Sequence, residues 1–100
     1  MGFGPDDLGS ILIKAFINTI KEISPLPSAL VFYNNGIHLA VEGSTVLEPL
    51  QDLQNRAVDI LVCATCLDYF KKKASLKVGT ASNMFTILET LSNAHHVIAP

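Results

Sequence analysis

Ala29, Leu30, Val31, Phe32 and Tyr33 form an unbroken apolar run, bounded by Pro25-Leu26-Pro27 before and Asn34-Asn35-Gly36 after. A strand points successive side chains to opposite faces, so a run without polar alternation is buried on both. That pattern belongs to a parallel sheet covered by helices on its two sides. Parallel strands need long crossovers between them, usually helical ones. The rest of the chain has to supply those helices.

It does so in alternation. Leu8, Ile11, Leu12, Ala15, Phe16, Ile20 and Ile23 recur at helical spacing and predict a helix over 5–23 with one apolar stripe. Pro5 suits its first position, and Asp6 and Asp7 sit well against the positive end of the helix dipole. Ser24-Pro25-Leu26-Pro27 stops it. Ile37 to Val41 reads as a short apolar connection after the Asn-Asn-Gly turn. Thr45 and Glu48 have capping-box spacing for a helix over 45–56, with Val46, Leu47, Leu50 and Leu53 inward. Pro49 conflicts mildly, because it falls late in that first turn. A second strand is expected over 58–62, and Cys63-Ala64-Thr65-Cys66 follows at once, opening a short helix to about Lys73. A third strand is expected over 76–78, a helix capped by Ser82 or Asn83 runs through Leu91, and a last strand covers 96–99.

These elements describe one α/β domain over all 100 residues, three-layered and flavodoxin-like, with a mostly parallel sheet and right-handed crossovers. One feature is unusual: the chain opens on a helix. Gly2 and Gly4 look like a strand-to-helix turn with no strand before it, so a first strand is expected to be missing. That strand is internal in such sheets, and its loss predicts an open slot filled by another segment or a neighbouring chain.

Composition adds bounds. The chain is 49% apolar and only 16% charged, which favours burial beyond its own core and hence a homo-oligomer. A net charge of −2 gives no electrostatic case for nucleic acid. No apolar run approaches the ~18 residues that cross a bilayer. Asp6 and Asp7 interrupt any signal peptide at the amino end. Two cysteines without an export signal point to free thiols in a reducing, cytoplasmic setting.

Four stretches together resemble a known family. They are Met1-Gly2-Phe3-Gly4 with Leu8-Gly9, Phe32-Tyr33-Asn34-Asn35-Gly36-Ile37 with Leu39-Ala40, Val62-Cys63-Ala64-Thr65-Cys66-Leu67-Asp68-Tyr69, and Val78-Gly79 with Ser82-Asn83-Met84. In order and spacing they resemble the carboxy-terminal DsrE-like domain of YedF proteins, a group associated with sulfur transfer and selenium metabolism. The resemblance implies a flavodoxin-like sheet and a sulfur-relay cysteine at the end of an inner strand, carrying sulfur as a persulfide. By position Cys63 matches that cysteine, with Cys66 one helical turn on as auxiliary. It also implies a TusA-like sulfur-carrier partner, since a TusA-like domain normally precedes this one. The chain departs from the family at Ala57 and Ala64, where glycine is common.

A sulfur carrier needs a thiolate, and a helix amino end or cationic neighbours can lower a cysteine's pKa. Cys63 ends a strand and heads a helix, so backbone N–H groups are expected to converge on it in an electropositive, reachable pocket. Cys66 can resolve a persulfide or close a disulfide. Asn34, Asn35 and Gly36 follow a strand's carboxyl end, where open α/β sheets bind ligands, and with Thr65 and Asn83 they are the candidate ligand-binding residues. Asn34 to Gly36 have a turn as their plain alternative and Asn83 a helix cap; Lys71-Lys72-Lys73 can hold an anionic partner or raise thiolate character nearby, with a solvated helix end as the plain alternative. Both cysteines can equally be small buried hydrophobes. No cofactor or metal is called for: zinc wants two more ligands, while His95 and His96 would point to opposite faces and His38 is distant. The alternative to sulfur handling is a non-catalytic, oligomeric protein-interaction module with structural cysteines.

Overall fold

The computed structural model describes residues 5–98. Three strands, β1 (Ala29–Phe32), β2 (Asp59–Cys63) and β3 (Thr80–Ser82), form one all-parallel sheet with β2 in the centre. Around it stand α1 (Asp6–Ile20), α2 (Leu47–Asn55), α3 (Ala64–Tyr69) and α4 (Met84–Ser92). A 3-10 segment, Asn34–Ala40, leaves β1, and a shorter one, Lys73–Ser75, follows α3. This α/β architecture is compatible with a flavodoxin-like fold. No helix of the described residues is long and apolar enough to cross a membrane.

β1 pairs directly with β2, with Leu30 opposite Ile60 and Phe32 opposite Val62. The slot expected for a missing internal strand is therefore closed among the described residues. Gly2 and Gly4, on which that expectation rested, lie outside them. Parity along the strands divides the sheet into two faces. Leu30, Phe32, Ile60 and Val62 share one face and belong to the main core, with Ile17 and Ile20 of α1, Val46 beside α2, Leu50 and Leu53 of α2, Ile37 and Leu67. Val31, Leu61 and Cys63 point to the other face and stand outside that cluster. There α4 packs on β2, with Ile87 as its one buried residue.

Several elements depart from the sequence-based expectation, each for a physical reason. In α1 the inward face is Ile13, Phe16, Ile17 and Ile20, an i, i+3, i+4, i+7 set. Leu8, Ile11 and Leu12 of the expected stripe are exposed. Both rows have helical spacing, and only the carboxyl half of α1 meets the core. The helix ends at Ile20, so Ile23 lies past it, exposed. The capping box at Thr45 and Glu48 does not form. α2 starts at Leu47 with Val46 as cap, which sets Pro49 in the first turn, where its missing N–H costs no helical bond.

α2 and α3 both end in Schellman motifs. Val58 N–H donates to the Leu53 carbonyl and Ala57 N–H to the Gln54 carbonyl; Lys72 and Lys71 repeat the pattern on Leu67 and Asp68. The left-handed residues are Ala57 (φ 69°) and Lys71 (φ 56°) rather than glycine. α3 thus stops at Tyr69, short of the expected Lys73. Leu76 makes only an isolated antiparallel bridge to Val41, and the third strand forms instead at Thr80–Ser82. Gly79 makes that shift possible: it turns at φ 81°, and a Cβ there would lie 2.8 Å from the Ile60 carbonyl oxygen. The last expected strand is absent over 96–98, and Ala99 lies outside the described residues.

Candidate functional site

Because all strands are parallel, Asn34 after β1, Cys63 at the end of β2 and Asn83 after β3 come to one edge of the sheet. Cys63 is the last residue of β2, the cap residue of α3 and the register partner of Ser82. The strand-to-helix junction expected there is present. Its sulfur is not reachable, however: Cys63 is 2% exposed. Its thiol adjoins that of Cys66 in the first turn of α3. Among the described residues the one backbone N–H bonded to either cysteine sulfur goes to Cys66.

That donor is Asn34. Its N–H lies 3.1 Å from Cys66 Sγ and bridges 32 positions of sequence. Asn34 is left-handed (φ 52°), a conformation asparagine accepts more readily than most residues. The bond fixes the 3-10 segment against the first turn of α3. Cys66 is half-buried, packed against the core on one side. Burial pushes its thiol above the ordinary range. The Asn34 N–H pulls the other way and the adjoining Cys63 thiol adds to the rise, so the net direction is upward. One expectation is thereby corrected: of the two cysteines the more exposed is Cys66, not Cys63. Both cysteines are free.

The remaining candidates take plainer roles. The Asn35 carbonyl oxygen accepts from His38 Nδ1 at 3.0 Å, which selects the Nδ1–H tautomer. Gly36 N–H closes a turn on the Tyr33 carbonyl, and a Cβ at Gly36 would meet only ordinary contact with Phe32. Thr65 is exposed on α3. Asn83 is the cap of α4, its Oδ1 accepting from Thr86 N–H at 2.8 Å, so the helix-cap alternative is the one realised. Lys73 reaches Asp68 at 3.3 Å between exposed side chains.

A row of rings beside Cys66 was not anticipated. His38 meets Phe70 edge-on at 4.7 Å, and Tyr69 meets Phe70 edge-on at 5.1 Å. Phe70 is half-buried against the core, while Tyr69 is 80% exposed. The signal was available in the pairing of Tyr69 with Phe70 just after the CxxC. Nothing in the sequence tied His38 to them, because a 3-10 segment brings it across.

Two surface grooves lie elsewhere. One of about 890 Å³ runs between α1 and α2, lined by Lys14, Lys21 and Gln51 among others; one of about 250 Å³ lies beside Asn35 and His38. Neither groove is lined by a cysteine.

Comparison with known proteins finds no match to any family model, curated protein or solved structure.

Proposed function

We propose that this chain is a sulfur- or selenium-handling domain of the persulfide-carrier kind, working through the dithiol Cys63 and Cys66. The observation that carries the reading is the Asn34 N–H on Cys66 Sγ, at the carboxyl edge of a parallel sheet with Cys63 alongside. Cys66 is the receiving sulfur in this account and Cys63 the auxiliary. A protonated, half-buried thiol is quiet at rest, yet a high pKa preserves intrinsic nucleophilicity once the proton is removed.

In the loading step Cys66 thiolate attacks the outer sulfur of a persulfide donor. The donor's S–S bond breaks, and the donor thiolate leaves with the electron pair. In an unloading side reaction Cys63 thiolate attacks Cys66 Sγ, hydrosulfide leaves and the Cys63–Cys66 disulfide closes. Two thiols are then oxidised and the carried sulfur is reduced to sulfide; a dithiol reductant resets the pair. A TusA-like sulfur carrier is the partner this reading supplies, in a reducing compartment such as the cytoplasm.

Incubation of the reduced chain with sodium polysulfide, followed by peptide mass mapping, tests it. The expected result is a one-sulfur adduct of about 32 Da on Cys66. It is absent in Cys66→Ser and retained in Cys63→Ser. An adduct confined to Cys63, or none on either residue, rejects the reading.

The exposed apolar surface of α4 favours a second reading, a non-catalytic interaction module that assembles as a homo-oligomer. It expects the Cys63→Ser, Cys66→Ser double variant to keep its assembly unchanged; loss of assembly with the fold intact rejects it.

A further inference from the structure

The two faces of the sheet are covered unequally. On the second face α4 packs on β2 with Ile87 buried, while Val31 and Leu61 stay half-buried. The outer side of α4 is then as apolar as its inner side. Met84 is 53% exposed, Phe85 74% and Leu88 55%. These three lie within one turn and share a helix face. Val97 and Ile98 are also exposed. From Thr80 to Ile98 the only charged side chain is Glu89. Elsewhere the surface carries the usual mixture: Asp6, Asp7 and Lys14 flank the exposed residues of α1. A charge-poor stretch with an exposed aromatic and two large aliphatic side chains has the composition of an interface core.

We infer that the α4 face binds the same face of a second copy of this chain about a twofold axis. This deepens the interaction-module reading and is independent of the thiol chemistry. The charge pattern selects the occupant. In a twofold contact each group meets its own equivalent region, so a charged patch would meet like charge. Within α4 only Glu89 is repeated across the axis, on the flank of the apolar row; Asp59, at the amino end of β2, is the acidic residue of the adjoining sheet face. A partner recognised by charge would find almost nothing to pair with. Size agrees as well. The molecule's two smaller extents are 32 and 26 Å, and a face of that order can supply the ~800 Å² per copy of a standard interface. Phe85 and Leu88 are the central anchors in this contact, and the half-covered Val31 and Leu61 extend it along the sheet.

The test is the mass of the reduced chain in solution, by light scattering and sedimentation equilibrium across a dilution series. The expected result is a dimer whose dissociation constant rises ~100-fold or more in Phe85→Glu and in Leu88→Glu. Their far-ultraviolet spectra should match the parent, because both side chains are exposed in the single copy. Ile11→Glu, on the exposed row of α1, is expected to leave the dimer intact. Should Phe85→Glu fail to fold, Phe85→Gln carries the same prediction. A monomer at every concentration overturns the inference. So does open-ended association, a dimer that survives Phe85→Gln, or one abolished by Ile11→Glu.

Discussion

The two faces of one small sheet show how differently a chain of this composition spends its apolar residues. On the first face, side chains from α1, α2, α3 and the 3-10 segment close over Ile60 and Val62, and Val62, Leu50, Leu53 and Leu67 are wholly buried. On the second face, one nine-residue helix buries Ile87 alone and leaves Met84, Phe85 and Leu88 exposed. The cysteines divide along the same line. Cys63 points to the second face and is sealed there; Cys66 packs against the first and keeps an opening. The lesson is that a strand end and the first turn of the helix that follows it give two adjoining thiols different exposure, although only two residues separate them.

The largest test of this asymmetry is truncation in each layer. Leu53→Ala should cost about 3–4 kcal/mol in chemical denaturation, since the side chain is fully enclosed. Ile87→Ala should cost about half as much, at the low end of the same range, because its surroundings can collapse. Equal losses would mean that the second face is as well packed as the first.

Gly79→Ala comes next. A Cβ would sit 2.7 Å from Ile60 Cγ2 and 2.8 Å from the Ile60 carbonyl oxygen, on a residue at φ 81°. Overpacking against backbone together with a left-handed alanine should destabilise by about 2–3 kcal/mol. A melting temperature unchanged from the parent would show that β3 does not depend on that close approach.

Smaller, and of opposite sign, is Ala57→Gly. Ala57 occupies the left-handed position of the α2 Schellman motif, so glycine there should raise stability by about 1 kcal/mol. Loss of stability in the glycine variant would contradict the motif.

The smallest effect is on the pH profile. Burial raises the Cys66 thiol, so its ionised form is disfavoured in the folded state. The contribution to stability is complete below the ordinary thiol range and is lost as pH rises through the raised folded value. Stability against pH should therefore decline on the alkaline side, and Cys66→Ala should flatten that decline. Cys63→Ala should shift the Cys66 alkylation profile to lower pH, since the Cys63 thiol contributes to the rise.

Much of this fold was legible before any coordinates. The parallel strand β1, the alternation of helix and strand, the cap at Asn83 and the strand-to-helix position of Cys63 all follow from local pattern, although β1 stops at Phe32 with Tyr33 exposed and its second face only half-covered. What escaped depends on tertiary competition. α1 carries two apolar rows with the same period, and only its geometry against the core chooses between them. Leu76, Lys77 and Val78 alternate as a strand should, but the turn at Gly79 hands the pairing to the blander Thr80, Ala81 and Ser82. The site was half legible: the CxxC was visible, whereas the donor from Asn34 required knowing that the 3-10 segment after β1 meets α3 across 32 residues.

The central claim is that Cys66 is the reachable sulfur and Cys63 the sealed one. Alkylation of the folded, reduced chain with iodoacetamide, quenched over time and mapped by mass spectrometry, addresses it directly. Cys66 should be modified in the native state, faster as pH rises, while Cys63 reacts only as fast as the chain unfolds. Modification of Cys63 ahead of Cys66 under native conditions would contradict the account.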